Sequence, residues 1–540
     1  MRSTNLYVIG IASIAAIGGF LLGFDGSVIS GAIPFYKEVF GLQDGSFLLG
    51  FSVSCIIWGS VIGNMLAGPL SDRIGRKPSL VIAALLFTAT GLICAFAQNI
   101  GLFIAGRFIG GLGVGIAILV APVYIAEIAP ARNRGWLVSF NQLLIVVGLS
   151  AAYFSNYFIL KTVEDPLVNW RWMLGIESIP ALLYLVLIVF IPESPRWLLM
   201  RRQDSRAMAI LRKVNGEEGA ETAFHEIKNS LAGETKTAIR QQAAELFSKR
   251  MKRVLVIGFG LGILQQFSGI NAILYYAPVV FESTGGGRDA AFLQAIVLGL
   301  VFVIMTIVSM FLIDRLGRKP LLYTGVSIMA LSLTLVGWLF YQASYTVSRE
   351  DIKTVAAAVA EQELGARGRN NKEADNIPLR RNLFEKSLAG IEDKSYASDA
   401  GFYKAVEDAL GNTGLDAARY KPGLLKQGIR INSRWVLFGI LGFIAGFSIS
   451  LGPVMWAMFS EIFPNQLRGF AISVVGAANA LASFVVATFF PVQLALFGNA
   501  NTYFLYAALM YFCLWFTWKY VVETKGKTLE QLEKELTRND

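Results

Sequence analysis

Charge is scarce in this sequence. Only 16% of its 540 residues are Asp, Glu, Lys or Arg, against roughly 25% in soluble domains, and the mean hydropathy is +0.54. That scarcity excludes an ordinary soluble domain and points to an all-α, multi-pass membrane protein. Cysteine is scarcer still. Cys55, Cys94 and Cys513 each sit inside an apolar run, which excludes a disulfide framework or thiolate metal site and leaves buried free thiols. The single histidine, His225, lies in a polar stretch and supplies no ligand set, so neither metal nor cofactor is expected. No glycine-rich nucleotide loop follows a strand and no catalytic triad spacing occurs, which argues against an enzyme. No Asn-x-Ser/Thr sequon occurs either, which favours a bacterial inner membrane over a glycosylated cell surface. The net charge of +10 could suggest nucleic acid, but the basic residues cluster between apolar runs. The lipid bilayer is therefore the expected partner, and nucleic acid is not.

The apolar runs fall near 6–33, 46–70, 79–98, 101–124, 136–160 and 172–191, then near 254–281, 291–313, 320–344, 434–459, 468–492 and 501–522. Each approaches or exceeds the ~20 residues that span a ~30 Å hydrocarbon core. The spacing predicts an N-terminal six-helix bundle (1–191), a linker (192–253), a C-terminal six-helix bundle (254–522) and a tail (523–540). Arg2 precedes the first run, but the run is too long for a signal peptide, so it reads as a retained helix. Arg73, Arg76 and Lys77, Arg132 and Arg134, Arg315, Arg318 and Lys319, and thirteen basic residues of the linker all fall on one side. The positive-inside rule makes that side, and both termini, cytoplasmic. Within the linker, 205–214 and 221–231 read as short amphipathic helices. A polar insertion at 345–432 carries fourteen Lys/Arg and thirteen Asp/Glu. It is expected to form a small helical unit on the outer face between helices nine and ten.

Asp25 is the one charge between about Leu6 and Ile33. An ionised carboxylate at that depth costs at least ~2.5–3.5 kcal/mol on insertion scales. It is expected to be paired, cavity-facing or able to take up a proton; its role is either helix packing or coupling to an ion or ligand.

The chain also repeats itself. Asp72-Arg-Ile-Gly-Arg76-Lys-Pro78 recurs as Asp314-Arg-Leu-Gly-Arg318-Lys-Pro320, and Glu127 to Arg134 recurs as Glu461 to Arg468 with the same interval. More loosely, Pro192-Glu193-Ser194-Pro195-Arg196 matches Glu523-Thr524-Lys525-Gly526-Lys527. Repeated halves mark transporters that rock about a site between them. Arg76, Glu127, Arg134, Glu193, Arg318, Glu461 and Arg468 therefore read as a cytoplasmic gate, an ion-pair network that forms in one state and breaks in the other. The pairs are individually weak, ~0–1 kcal/mol.

These motifs, with Gly106-Arg107, Pro122-Val-Tyr124-Ile-Ala-Glu127, Gln265-Gln266-Phe-Ser-Gly-Ile-Asn271 and Gly452-Pro453-Val-Met-Trp456, resemble the sugar porter family of the major facilitator superfamily nearly end to end. The insertion lies outside the resemblance. The family implies a central cavity for a monosaccharide or polyol, and position by position Gln142, Gln265, Gln266, Asn271, Trp456 and Asn479 fall on its binding positions. Amides can read a hydroxyl as donor or acceptor, and an indole offers a flat apolar face and one donor. Tyr275 and Tyr276 resemble the family's outer gate. The chain departs from the pattern at Phe302 and Ala480, where the family more often has Asn and Trp, and at Val522, usually Pro. In the family frame, Asp25 with Arg107 and Glu177 resembles the coupling set of bacterial proton-linked members. Facilitators tend to carry Asn at the first position. The resemblance implies proton–sugar symport; a facilitative uniporter and a transporter-like receptor are the alternatives.

Overall fold

An apolar segment crosses a bilayer only if its backbone hydrogen bonds are closed within it, so long apolar runs fold as helices. A computed structural model shows this outcome. It describes residues 2–130, 134–232, 239–366, 377–396, 398–411, 413–415, 417–464, 466–527, 531–532 and 535–536. In the first half, α1 (Arg2–Val39), α2 (Phe47–Ile74), α3 (Arg76–Ala95), α4 (Ile100–Ile128) and α5 (Arg134–Thr162) are each one span. The sixth span is split into α6 (Pro166–Gly175) and α7 (Ser178–Ile188). Next come α8 (Pro195–Met200), α9 (Asp204–Ala232) and α10 (Ile239–Leu246). A left-handed Gly216 (φ 78°) interrupts α9 between the two short helices that the linker sequence suggests.

The second half follows the same plan. Its first span is α11 (Lys252–Phe267) plus α12 (Ile270–Glu282), followed by α13 (Gly287–Leu316) and α14 (Arg318–Tyr341). The fourth span of this half is likewise split, as described below. The last element, Arg468–Tyr520, is helical apart from a turn at Gly498 (φ 75°). That glycine divides it into the eleventh and twelfth spans, ~45 and ~33 Å long at 1.5 Å per residue. With that division the chain is a twelve-helix membrane protein built as two related halves. Side chains such as Phe96, Phe190 and Leu496 stay exposed, as lipid-facing residues do. The three cysteines are buried and free.

The segment between the ninth and tenth spans folds into helices whose apolar side chains continue the main hydrophobic core. Strand β1 (Ser344–Tyr345) pairs antiparallel with β2 (Ile429–Arg430), and between them lie α15 (Arg349–Ala366), α16 (Ile377–Leu388), α17 (Asp399–Leu410) and α18 (Ala417–Gly428). Val347, Ile352, Phe402 and Leu424 are buried there, and Phe384 stacks on Tyr420 with centroids 4.0 Å apart. Then α19 (Ser433–Ile449) and α20 (Leu451–Ile462) complete the tenth span, and α21 (Arg468–Tyr520) holds the last two.

Three spans are broken, each at chemistry-bearing residues: at Glu177, at Gly269 (φ 85°) beside the glutamines, and at Ser450 (φ −125°, ψ −100°). Discontinuous helices free backbone groups in mid-bilayer, where binding sites are built. The halves meet where α5 packs on α13, α2 on α21 and α1 on α12.

Candidate functional site

The first cluster lies within the N-terminal half. Arg107 on α4 and Asp25 on α1 are fully buried. Arg107 Nη1 donates to the Asp25 carboxylate, and at 3.3 Å to the Asp25 carbonyl. Glu177, 1% exposed, sits at the N-cap of α7, which packs on α1. The sequence places Glu177 near a helix end, as its N-cap position bears out, but α6 and α7 together make one span. Asp165 caps Leu167 N at 2.9 Å and Pro166 occupies the first turn, so the sixth span starts at Pro166 and Glu177 falls at its centre. Asp25 Oδ2, Glu177 Oε1 and Arg107 Nε and Nη2 have no partner among the described residues. A buried charge with open valences is expensive. Two carboxylates and one guanidinium carry a net charge of −1, and one proton brings the trio to neutrality.

The second cluster lies in the other half. Gln265 Nε2 donates to Leu451 O (2.9 Å), just past the break at Ser450. Gln265 Oε1 accepts from Gln266 Nε2 (3.1 Å) and Asn479 Nδ2 (2.8 Å). Gln266 Oε1 accepts from Asn271 Nδ2 (2.9 Å), which also donates to Ser483 Oγ (2.6 Å). Four of the six expected binding residues thus form one network, joined by Ser483, which sequence reasoning missed. Ser483 stands four residues after Asn479, one helical turn along α21. Trp456 is 43% exposed and approaches Gly476, less than a turn before Asn479. Gln142 is exposed on α5, three turns from Tyr153 on the same face. Its neighbour Asn141 is buried with an unpartnered Oδ1 against Gly19. Phe302 is packed edge-on against Phe447, an apolar wall.

The short helix α12 touches both clusters. Pro278 has no N–H, so the Leu274 carbonyl loses its helical partner. The Tyr153 hydroxyl, from α5 of the other half, donates to it at 2.7 Å. Tyr275 packs against Gly26, next to Asp25. Tyr276 sits at a kink (φ −114°, ψ 15°), and its hydroxyl donates to Ala487 O at 3.3 Å. Other contacts between halves lie toward the same end. The Ser54 and Thr488 hydroxyls are 2.5 Å apart, Trp58 meets Phe484 at 5.4 Å, Arg288 pairs with Glu38 at 3.2 Å, and Lys161 pairs with Asp289 at 2.7 Å.

At the end bearing the repeated motifs, Arg76 and Arg318 each pair with a glutamate of their own half. Arg76 grips Glu127 through Nε and Nη2, both at 3.0 Å. Arg318 grips Glu461 at 3.1 and 2.7 Å. Gly75 (φ 109°) and Gly317 (φ 92°) turn the backbone so that the next amides point at Glu193 and Glu523. A Cβ on either glycine would meet that carboxylate, at 2.2 or 2.9 Å. The copies are not equivalent. Ser194 Oγ donates to Glu127 Oε2 at 2.5 Å, whereas the matching Thr524 Oγ1 and Glu461 Oε2 are buried without a partner among the described residues. Burial pushes the Glu193 carboxyl up. Burial also pushes on Glu523, but its backbone donors, from Lys525, Arg318, Lys319 and Thr524, outweigh it and hold the group below its ordinary value. Arg468 Nε reaches Phe463 O at 3.4 Å. The Arg134 side chain lies outside the described residues. In the linker, His225 meets Phe224 edge-on, and no metal-binding cluster occurs among the described residues.

Comparison with known proteins gives this geometry a family. The pattern of the family described as "Sugar (and other) transporter" matches residues 11–360 and 421–536, skipping most of the insertion. The chain is 34% identical to the D-xylose-proton symporter of Escherichia coli (strain K12), covering 98% of this chain and 95% of that one. It is 33% identical to the arabinose-proton symporter of Bacillus subtilis (strain 168), again over 98% and 95%. Among solved structures it resembles the E. coli xylose transporter in an inward open conformation, with TM-score 0.72 and 32% identity over 98% of this chain and all of that one. The same transporter, described as a major facilitator superfamily proton:xylose symporter bound to 6-bromo-6-deoxy-D-glucose, matches with TM-score 0.67 and 33% identity over 99% of this chain and all of that one. With twelve spans in two related halves, an amide cluster in one and a buried ionisable trio in the other, the chain belongs to the sugar transporter family of the major facilitator superfamily.

Proposed function

We propose that the protein couples proton movement to uptake of a monosaccharide or polyol by alternating access. The observation that carries this reading is the buried trio of Asp25, Arg107 and Glu177, two carboxyls with open oxygens in one half-bundle with a single guanidinium that stays charged. A facilitator has no need to hold a titratable trio in mid-bilayer at the cost of burial. Gln142, Gln265, Gln266, Asn271, Trp456 and Asn479 bind the sugar, and Tyr275 and Tyr276 close the outer mouth. Arg76, Glu127, Arg134, Glu193, Arg318, Glu461 and Arg468 serve the inner gate. In this reading the motif end is cytoplasmic, both termini lie there, and the membrane is a bacterial inner membrane. The contacts between halves then lie on the outer side, so the conformation is inward-facing.

Asp25 gains its proton when the Arg107 pair is loosened and burial favours the neutral acid. It loses the proton when the pair re-forms. Because the trio and the sugar amides lie in different halves, coupling requires that one motion move both. The test is uptake and counterflow in proteoliposomes with a panel of pentoses, hexoses and polyols. Wild type accumulates substrate under an inward proton gradient. Asp25→Asn loses accumulation and keeps exchange. Wild-type uptake that ignores the gradient refutes coupling.

A further inference from the structure

Among the described residues, none of the 345–432 segment hydrogen-bonds to the amide network or to the Asp25 trio, yet its base rests on one particular loop. Gly285 (φ +83°) and Gly287 (φ +79°) bring the chain after α12 hard against the end of α18 and strand β2. A Cβ on Gly285 would lie 2.8 Å from Ile429 Cγ2 and 3.3 Å from Lys426 O, and one on Gly287 would lie 3.4 Å from Lys426 Nζ. That loop leads directly into Arg288 and Asp289, which reach across to the other half with opposite signs. Arg288 pairs with Glu38 at 3.2 Å and lies over the Phe35 ring at 4.9 Å, both on α1. Asp289 pairs with Lys161, at the end of α5, at 2.7 Å. One dipeptide therefore ties α1 and α5, two of the N-terminal-half helices that pack on the C-terminal half.

We propose that the insertion is a brace for this clamp. By seating the 284–287 loop, Ile429 and Lys426 hold Arg288 and Asp289 in register with Glu38 and Lys161, and so favour the state closed at the outer mouth. All six are positioning residues that touch neither sugar nor proton. The inference rests on the alternating-access reading above. The pairs are part-exposed, with side-chain accessibilities of 31% and 51% for Arg288–Glu38 and 46% and 65% for Lys161–Asp289. Each contributes little alone and is weakened by salt. Held together by a rigid loop, the pairs act as a unit, and the opposed signs resist sliding of the halves.

The experiment measures the distance between nitroxides at the outer ends of the two halves, on the full chain in lipid nanodiscs without sugar. This readout is independent of transport, so its failure differs from a failure of proton coupling in proteoliposomes. Arg288→Glu is expected to raise the open-to-closed ratio about two- to fivefold, and the exchange Arg288→Glu with Glu38→Arg to restore it in part, because Arg288 also pairs with Glu282 of its own half at 3.4 Å. Lys426→Ala, which leaves the β1–β2 pair intact, and Ile429→Ala should shift it the same way. Neither should add to Arg288→Ala, because brace and clamp act in series. A normal distribution in both brace variants, or shifts that add fully to that of Arg288→Ala, would overturn the proposal.

Discussion

Removing one hydroxyl at Tyr153 should open the outer mouth. In the closed state this phenol, 1% exposed, donates at 2.7 Å to the Leu274 carbonyl that Pro278 leaves without its helical donor. In Tyr153→Phe that carbonyl stays buried and unsatisfied, a loss of about 1–3 kcal/mol. In the open state water reaches the carbonyl, so the loss falls on one state only. At about 1.4 kcal/mol per tenfold, a net 1–2 kcal/mol shifts the closed-to-open ratio by ~5–30-fold. Phe keeps the ring, so packing beside Leu274 survives and the folded state should hold. The assay is distance measurement between spin labels at Glu164 and Asn501, both exposed; the native cysteines are buried. In transport, the same shift should lower the apparent KM for sugar from outside and slow turnover at the return step. If the closed-mouth distance keeps its wild-type weight in Tyr153→Phe, the freed-carbonyl argument is wrong.

Asn479→Ala removes the donor to Gly262 O (2.7 Å) and Gln265 Oε1 (2.8 Å) and the acceptor for Gln266. At roughly 1 kcal/mol per hydrogen bond, sugar affinity by calorimetry should fall by about tenfold or more, while the spin-label distances without sugar stay put. The gate carboxylates should separate in a thermal unfolding series against pH. The Glu523 value is held down, so its stabilising effect is present above the ordinary Glu value and lost as pH falls through its folded value. Glu523→Gln should therefore lower Tm at neutral pH, and the gap to wild type should close below about pH 4. The Glu193 value is raised, so its effect runs the other way, full below the ordinary value and lost as pH rises through the folded one. Glu193→Gln should leave Tm at neutral pH unchanged or raise it.

Much of this molecule can be read from local pattern. Twelve apolar runs and a repeated Asp-Arg-x-Gly-Arg-Lys-Pro motif are one-dimensional signals, and they correspond to the spans and to the two related halves. Asp25 and Arg107 stand out because each is a lone charge in an apolar run. Glu177 is harder, because Asn169 and Arg171 break the hydropathy of the sixth run and make it look short. The Asp165-Pro166 cap was the cue that could have lengthened it. Tyr153, Ser483 and Asn141 escape sequence reasoning for another reason. Their significance depends on a partner far along the chain, as with the 121 residues between Tyr153 and Leu274. Pro278 announces that a carbonyl four residues back is free, but not which helix supplies its donor. The insertion is legible as helical and charged, while its seat on Gly285 is a fact of tertiary packing alone.

Coupling of sugar to proton needs an element that both sites bias, and α12 has the right neighbours. Asn271 belongs to the amide network, Leu274 receives the Tyr153 hydroxyl, and Tyr275 covers Gly26 beside Asp25. Little more than one helical turn therefore carries the proposed sugar contact, the latch between halves and the cover over Gly26. The turn is anchored below by the break at Gly269 and released above by the kink at Tyr276 and Pro278. A segment hinged at both ends can swing without unfolding its neighbours. When sugar reorganises Asn271, the same rigid turn alters the fit of Tyr275 on α1. When Asp25 changes charge, the packing of Gly26 alters the seat of Tyr275. By linkage the two influences are equal in free energy. If the amide network binds the sugar and Asp25 the proton, as proposed above, proton-dependent sugar affinity and sugar-dependent proton affinity follow from one short helix.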